Sequence, residues 1–303
     1  MSRPGPRPRI AALTLAHGRH DHLTAQLRGL LAGTVRPDLV VVAAMDDPVL
    51  PQVVTAATSR AAADGTTVVT LAVDRDGDHL PLAAARNRAA AHAIADGADL
   101  LVLLDVDCIP SPTLVERYAE VWSEVSPSAS GPVVLCGAVH YLPPRRLGLN
   151  HYTATDLAAS QPHPARPVAP DGQHVVVEDL HLFWSLSFAI GAADWVQVGG
   201  FDEGYRGYGG EDTDFGLTLE AGGGVGYWVG GAPAYHQHHP VDDPPRQHVA
   251  DIVRNSNRFH ERWGFFPMSG WLDAFEAEGL VTRSGRPPRL HLTSSEGSSA
   301  RSA

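Results

Sequence analysis

Lysine is missing from this chain of 303 residues, and all 23 basic residues are arginine. This absence excludes chemistry that needs a lysine amine: Schiff-base catalysis, attachment of pyridoxal phosphate and the phosphate contact of a Walker loop. The two cysteines, Cys108 and Cys136, do not have the spacing of a metal-binding pair. We expect them to be small core residues, without a disulfide framework.

Net positive charge and long apolar runs are absent too. The net charge of −11 and the isoelectric point near 5.7 argue against nucleic acid or an anionic membrane as the principal partner. No run approaches the roughly 18 apolar residues of a transmembrane helix, and no signal-peptide core follows the Pro- and Arg-rich start. These features predict a cytoplasmic protein without a transmembrane segment.

Strand-like apolar runs alternate with helical spacing in the first half of the chain. Strands are predicted over 10–15, 39–44, 67–72 and 100–104, and helices over 23–33, 53–63 and 82–95. This order is typical of a doubly wound α/β protein with a mostly parallel central sheet flanked by helices.

The second half is less regular. Further strands are predicted over 133–141, 183–190 and 226–229, a helix over 251–263, and a Pro- and His-rich loop over 143–173. We expect a flexible N-terminus over 1–8, one domain over 9–283 and a polar, disordered tail over 284–303.

Two carboxylates, Asp105 and Asp107, directly follow the apolar run 100–104. An extended backbone would point both to the same side, at the end of a strand where open α/β sheets place their ligands. Two hard oxygen donors there suit Mg²⁺ or Mn²⁺, and such an ion suits a diphosphate. The alternative is an Asp-rich turn that caps the next helix.

A second acidic cluster follows a glycine-rich turn. Glu211, Asp212 and Asp214 come after the sequence Gly-Tyr-Gly-Gly at 207–210. The glycines allow a tight loop that approaches a ligand, whereas the acids would also suit the first turn of a well-capped helix. Together the two clusters favour a metal-assisted transferase.

These features resemble the GT-A glycosyltransferases of the inverting family 2 type, over about residues 9–275. Residues 207–212 are similar to the acceptor-site motif of β-1,4-galactosyltransferases. The resemblance implies a GT-A fold with a donor-nucleotide half over 9–125 and an acceptor half over 126–283. It implies a hexosyltransferase that moves a sugar from a nucleoside-diphosphate sugar, most simply a UDP-sugar, to the hydroxyl of a sugar, lipid-linked or small-molecule acceptor.

The resemblance also assigns residues to the donor site. His17 lies in the loop after the first strand, where this chain departs from the family's usual residues, and Asp46 lies where the family binds the uracil edge. Arg86 and Asn87 match an Ala-Arg-Asn segment, and Asp105 completes the set. Without the resemblance, Asp46 reads as a turn residue before Pro48, and Arg86 as part of a solvated helix face.

For the metal, the resemblance implies a DxD site at Asp105 and Asp107 that binds Mn²⁺ or Mg²⁺, completed by a later histidine. His236 is the first choice and His238 the second among the imidazoles at 236–239. A solvated, His-rich loop is the alternative.

Catalysis is assigned to the second acidic cluster. The resemblance implies that Asp212 removes the proton of the acceptor hydroxyl and that Glu211 holds the acceptor, with Glu211 or Asp214 as the other candidate bases. The acceptor would also meet Trp184, Tyr208 and Gly210, although aromatic residues of this kind often serve packing alone.

Two other classes of function remain open. A sugar nucleotidyltransferase shares the fold pattern, but such enzymes commonly place lysine beside the phosphates. A catalytically silent sugar- or metal-binding module would keep the carboxylates without turnover. Incubation with nucleotide sugars and Mn²⁺ separates the three.

Overall fold

The computed structural model describes residues 7–59, 65–146, 149, 151–240 and 242–293. Positions 1–6, 60–63 and 294–303 of the predicted N-terminus, second helix and tail lie outside the described residues. The chain forms two compact units. The first comprises the described parts of Met1–Glu203 and Asp212–His239, and the second those of Gly204–Glu211 and Pro240–Ala303.

The elements follow the order expected for an α/β protein. The strands are β1 (Ile10–Ala16), β2 (Leu39–Met45), β3 (Thr67–Val73), β4 (Leu100–Leu104), β5 (Cys108–Pro110), β6 (Val133–Tyr141), β7 (Gln161–Pro162), β8 (His174–Val176), β9 (Ser187–Gly191), β10 (Val225–His236), β11 (Val281–Ser284) and β12 (Arg289–Leu292). The helices are α1 (His20–Ala32), α2 (Leu50–Thr58), α3 (Leu82–Ala95), α4 (Leu114–Val125), α5 (Ala154–Ala159), α6 (Ala192–Val198), α7 (Glu211–Ala221), α8 (Val249–Trp263) and α9 (Ser269–Ala277).

The main sheet has the strand order β3-β2-β1-β4-β9-β6-β10-β5. Strands β1 to β4 are parallel to one another, and β6 is parallel to β10. Strand β9 pairs antiparallel with both β4 and β6, and so joins the two parallel groups. The predicted α/β class with a mostly parallel central sheet is confirmed.

Both faces of the main sheet are buried, which explains the uninterrupted apolar runs in the sequence. Alternate residues of β1 enter two different cores. On one face the strands pack against α1, α2 and α4, and on the other against α3, α6 and α7. Parallel strands held in this way direct their carboxyl ends to one edge, and that edge carries the first acidic pair.

The second unit has its own small core, made by Ile252, Val253, Leu272, Phe275, Val281 and Leu290. Strands β11 and β12 form an antiparallel hairpin, so the prediction of disorder from 284 onward is wrong for 284–292. The reason is Leu290, whose side chain is buried. Its backbone N–H donates to the side-chain oxygen of Asn257 at 2.8 Å, and its carbonyl oxygen accepts from the side-chain nitrogen of Asn257 at 2.9 Å.

Three more predictions change in detail. The predicted strand over 183–190 starts only at Ser187, because the backbone N–H of Ser185 donates to Asp212 instead of to a neighbouring strand. The predicted loop over 143–173 contains α5, which begins with a capping box between Thr153 and Asp156. The strand predicted over 226–229 extends to His236.

Candidate active site

The predicted donor residues His17 and Asp46 lie side by side where β1 and β2 end. His17 Nδ1 donates to the Met45 carbonyl oxygen at 2.8 Å, which leaves Nε2 as the acceptor for Arg75, 3.3 Å away. Arg75 also pairs with the Asp46 carboxylate. Asp46 has a φ of +46°, an uncommon backbone conformation that turns the chain sharply at this edge.

Asp47, which the sequence analysis did not select, ties the two strand ends together. Its carboxylate accepts from the Gly18 N–H and lies against His20 Nε2, both at 2.8 Å. Burial alone would raise the pKa of Asp47, but these two contacts and a hydrogen bond from the Val49 N–H lower it below its ordinary value. The sequence could have indicated Asp47, because it is the second acid of the Asp-Asp pair at 46–47.

Asp105 and Asp107 do not point to one side as predicted. A turn follows β4, in which the Cys108 N–H donates to the Asp105 carbonyl oxygen at 2.8 Å, so the alternation of an extended strand stops there. Buried Gln26 secures this turn by donating to the carbonyl oxygens of Asp105 and Cys108. The two carboxylates therefore have different partners.

Asp105 forms an ion pair with Arg86, another of the predicted donor-site residues. Arg86 is buried on α3 and donates to Asp105 at 3.2 Å, while its guanidinium lies over the Phe201 ring. Desolvation raises the pKa of Asp105, more than Arg86 lowers it, and the nearby charges of Asp107 and Asp212 raise it further. Asp105 therefore resists ionisation more than an ordinary, solvated aspartate does.

The side chain of Asn87, predicted to contact the donor, makes structural hydrogen bonds to residues 201 and 203. Its amide nitrogen donates to the Phe201 carbonyl oxygen and to Glu203, and its amide oxygen accepts from the Phe201 N–H, at 2.8 to 2.9 Å. Both amide hydrogens are used in these contacts. Asn87 therefore secures the segment that follows α6.

Asp107 lies in a group with two imidazoles. Its carboxylate oxygens are 3.5 Å from His236 Nε2 and 3.3 Å from His239 Nε2, and the three ligand atoms lie within 4.8 Å of one another. Arg19 approaches the same carboxylate at 3.3 Å. The predicted ligands Asp107 and His236 are brought together here, whereas Asp105 is outside the group and exposed His238 is replaced by His239.

The chemistry of this group suits a divalent cation. Burial would raise the pKa of Asp107, but His239, His236 and Arg19 lower it, so the carboxylate stays ionised. Burial lowers the pKa of His236, which favours the neutral, metal-binding form of the ring. One carboxylate oxygen and two imidazole nitrogens form a donor set that fits Mn²⁺.

Asp212, the predicted base, is oriented by one residue. Ser185 donates to its two carboxylate oxygens, through the backbone N–H at 3.1 Å and the hydroxyl at 2.7 Å. Asp212 lies close enough to Asp105 for its charge to raise the pKa of that acid. The Asp105 N–H donates to the Leu186 carbonyl oxygen at 3.0 Å, and Asp105 lines a pocket with Ser185, so the base candidate lies beside the first of the two acids at 105 and 107.

Trp184, predicted to meet the acceptor, lines a pocket together with Tyr141, His163, Arg166 and Leu186. Its ring meets the His163 ring edge-on, with centroids 4.8 Å apart. The Tyr141 ring lies 4.9 Å from that of His236, so the pocket adjoins the candidate metal group. In the chain, Trp184 directly precedes Ser185, which donates to Asp212.

The glycine-rich turn belongs to the second unit and is shaped by α8. Gly207, Gly209 and Gly210 all have positive φ. A Cβ on Gly207 would lie 2.0 Å from the Asp251 carboxylate, which accepts from the Tyr208 N–H. Buried Asn255 donates to the carbonyl oxygens of residues 206 and 208. Only glycine fits this close approach.

The remaining predicted residues are placed by this turn and by α7. Tyr208 is 38% exposed and stacks on His248, with centroids 4.8 Å apart, so it combines packing with an accessible ring. Glu211 is the first residue of α7 and is buried. Asp214 is 1% exposed, and this burial makes it the weaker alternative to Asp212 as a base.

Residues 180–237, which carry Trp184, Asp212 and His236, match the N-terminal domain of galactosyltransferase. Over 41 residues the chain is 51% identical to validoxylamine A glucosyltransferase of Streptomyces hygroscopicus subsp. jinggangensis, a match that covers 14% of this chain and 10% of that protein. The same enzyme of the subspecies limoneus matches equally, over 9% of its length. The chain thus spans about a tenth of these curated relatives.

Solved structures match over most of the chain. Residues 1–349 of S. aureus TarS in complex with UDP-GlcNAc are 11% identical with a TM-score of 0.57, covering 84% of this chain and 64% of that one. GalNAc-T7 with UDP, GalNAc and Mn²⁺ is 14% identical with a TM-score of 0.55, covering 90% and 55%. The fold is that of a GT-A glycosyltransferase. The predicted GT-A resemblance is thereby confirmed.

Within the part of the chain that the structure describes, none of the helices has the length and apolar character required to cross a bilayer.

Proposed function

We propose that this chain is a metal-dependent, inverting glycosyltransferase that moves a sugar from a nucleoside-diphosphate sugar to an acceptor hydroxyl. The supporting observation is that one unit contains both a candidate cation-binding group, Asp107 with His236 and His239, and a carboxylate, Asp212, that Ser185 orients beside Asp105. UDP is the nucleotide we favour, since TarS and GalNAc-T7 were solved with UDP-GlcNAc and with UDP.

The donor lies, in this proposal, along the carboxyl edge of β1, β2 and β4. His17, Asp46 and Arg75 form the polar surface for the base and ribose, because their side chains are already linked to one another there. Arg86 and Arg19 supply positive charge near the diphosphate. Asp107, His236 and His239 would hold Mn²⁺ or Mg²⁺, which stabilises negative charge on the leaving diphosphate when bound.

Asp212 acts as the general base. The two hydrogen bonds from Ser185 hold its carboxylate in one orientation, so that one oxygen can take the proton of the acceptor hydroxyl. The freed oxygen then attacks the anomeric carbon from the face opposite the leaving group, and the configuration inverts. Glu211 holds the acceptor by accepting a hydrogen bond from a second hydroxyl.

The test is incubation with a panel of nucleotide sugars and Mn²⁺, with mass spectrometry of the products. We expect slow hydrolysis of one donor to its sugar and nucleoside diphosphate, faster with a true acceptor, and loss of both on chelation. Pyrophosphate formed from a nucleoside triphosphate and a sugar phosphate would instead identify a nucleotidyltransferase. Binding of donor without any turnover, with acceptors present, would identify a silent binding module.

A further inference from the structure

The side chain of Arg166 is a buried cation without a hydrogen-bond partner among the described residues. It lies in the loop after β7 and is only 8% exposed. Its Nε and both terminal nitrogens are buried and make no hydrogen bond with any described residue. The guanidinium carbon lies 5.4 Å from the Trp184 ring centroid and 4.8 Å from that of Trp228, so it contacts two indole rings.

Such an arrangement is costly in the empty protein. A guanidinium stays charged in proteins and carries five N–H donors that water would otherwise satisfy. Contacts with aromatic faces return part of this free energy, but they leave the N–H donors without strong acceptors. Burial of an unpaired charge costs more than this. The energetics therefore favour an anionic acceptor that arrives from outside the described chain.

A pocket gives such a group a place to bind. Arg166 lines it together with Tyr141, His163 and Trp184. Tyr141 adjoins His236 of the candidate metal group, and Trp184 adjoins Ser185, which orients Asp212. A ligand group in this pocket would thus lie next to a residue that contacts the candidate metal group and next to the residue that precedes Ser185.

We propose that this pocket binds an anionic group, a carboxylate or a phosphate, carried by one of the two sugars that react. The inference rests on the proposed glycosyltransferase function and names its substrate class. The planar guanidinium pairs two N–H donors with two oxygens of such a group, and the aromatic walls exclude water from the pair. A neutral sugar would leave Arg166 unpaired and is selected against for that reason.

The first test needs no catalysis. Thermal unfolding is followed with acetate, inorganic phosphate or chloride at equal ionic strength, in the wild-type protein, Arg166→Met and Arg166→Lys. We expect acetate or phosphate to raise the unfolding temperature of the wild type relative to chloride, and Arg166→Met to lose that shift. Arg28→Met, which removes an exposed charge from α1, is the matched control and keeps it.

The empty protein provides a second readout. Since Arg166 is unpaired, Arg166→Met leaves the unfolding temperature in chloride unchanged or raises it. A fall of that temperature, together with no anion effect in the wild type, would overturn the proposal by making Arg166 a packing residue. The wild-type arm decides the question even if the methionine variant does not fold.

The second test separates the two sources of the anion. Donors with glucose or glucuronic acid are compared with one acceptor, and neutral sugars are compared with sugar phosphates and uronic acids as acceptors. We expect kcat/KM to favour the anionic member of one series by about tenfold or more, and Arg166→Met to remove that preference. The proposal would be overturned if wild type and Arg166→Met showed the same kcat/KM preference for anionic over neutral sugars. It would also be overturned if UDP and Mn²⁺ alone raised the unfolding temperature of the wild type but not of Arg166→Met.

Failure of the proposed function gives a different pattern. If no nucleotide sugar is hydrolysed but acetate or phosphate still protects the wild type through Arg166, the anion pocket stands and the transferase does not. If a donor is hydrolysed but no anion affects stability or selectivity, the transferase stands and the anion pocket does not.

Discussion

Asp105 and Asp107 are separated by one residue, yet they occupy opposite electrostatic surroundings. Asp105 pairs with Arg86 and lies near Asp212, and desolvation raises its pKa. Asp107 lies against two imidazoles and Arg19, and its pKa is lowered. The two acids of a DxD pattern therefore need not share a role: in the proposed mechanism the Asp107 side holds the cation, and the Asp105 side lies beside the base, Asp212.

The largest expected effect lies on the Asp105 side, at Asp212. The Asp212→Asn variant keeps the shape and can still accept from Ser185, but it cannot take a proton, so kcat falls by about 10² to 10⁴. Donor affinity stays nearly constant, since the metal group is untouched. Steady-state kinetics with a saturating acceptor and calorimetry with UDP measure the two quantities. Near-normal turnover of Asp212→Asn would move the role of base to Glu211 or Asp214. In the proposed mechanism Glu211 holds the acceptor, so Glu211→Gln should mainly raise the KM for the acceptor.

On the Asp107 side, adjacent histidines provide a matched pair. We expect His239→Ala to weaken Mn²⁺ binding by about 10- to 100-fold, because it removes one of three ligands. His238→Ala changes the affinity little, since that exposed side chain is outside the group. Titration of Mn²⁺ by electron paramagnetic resonance compares the two variants. A larger loss with His238→Ala would restore the prediction made from sequence.

A smaller effect is expected where Ser185 orients the base. Ser185→Ala removes the hydroxyl hydrogen bond to Asp212 and keeps the one from the backbone N–H, a loss of roughly 1 kcal/mol. We expect kcat to fall by roughly three- to tenfold, with Mn²⁺ affinity unchanged. Single-turnover kinetics isolate the chemical step. A change in Mn²⁺ affinity of similar size would mean that the two sides of the site are not separable.

The smallest effect concerns stability at the edge of the donor site. Asp47→Asn should lower the free energy of unfolding by roughly 1 to 2 kcal/mol at pH 7, since the charged carboxylate accepts from Gly18, His20 and Val49. Because its pKa is lowered in the folded protein, this stabilisation is present above 3.8, the ordinary value, and is lost as the pH falls through the folded pKa. Urea titrations across pH measure it, with exposed Asp74→Asn as the control. If the difference in free energy of unfolding between wild type and Asp47→Asn disappeared at high pH and not at low pH, a lowered pKa of Asp47 would be contradicted.

Local periodicity was enough to predict most of the sheet. Helix α3 and strands β4 and β6 begin and end where the apolar spacing does, because both sheet faces are buried and the apolar runs are continuous. The antiparallel insertion of β9 depends on pairing between distant strands, which one sequence does not display. The C-terminal hairpin was missed because its stability comes from the distant Asn257 and not from its own polar composition.

The site was predictable where residue type and position both carry information. Asp107 was selected by its place after a strand and His236 through the family resemblance, and the two do meet. His239 and Ser185 were missed because selection among neighbours depends on the direction of single side chains. Arg166 gave no signal at all, since an arginine in a Pro- and His-rich loop is usually solvated, and its burial between two tryptophans arises only from the tertiary fold.

Calorimetric titration of Mn²⁺ in the presence of UDP tests the central claim most directly, when Asp107→Asn and Asp105→Asn are compared with the wild type. We expect Asp107→Asn to lose about 100-fold or more in Mn²⁺ affinity and Asp105→Asn to stay within about tenfold of the wild type, with both variants folded by circular dichroism. Equal losses in the two variants, or a larger loss in Asp105→Asn, would contradict the division of roles between the two acids.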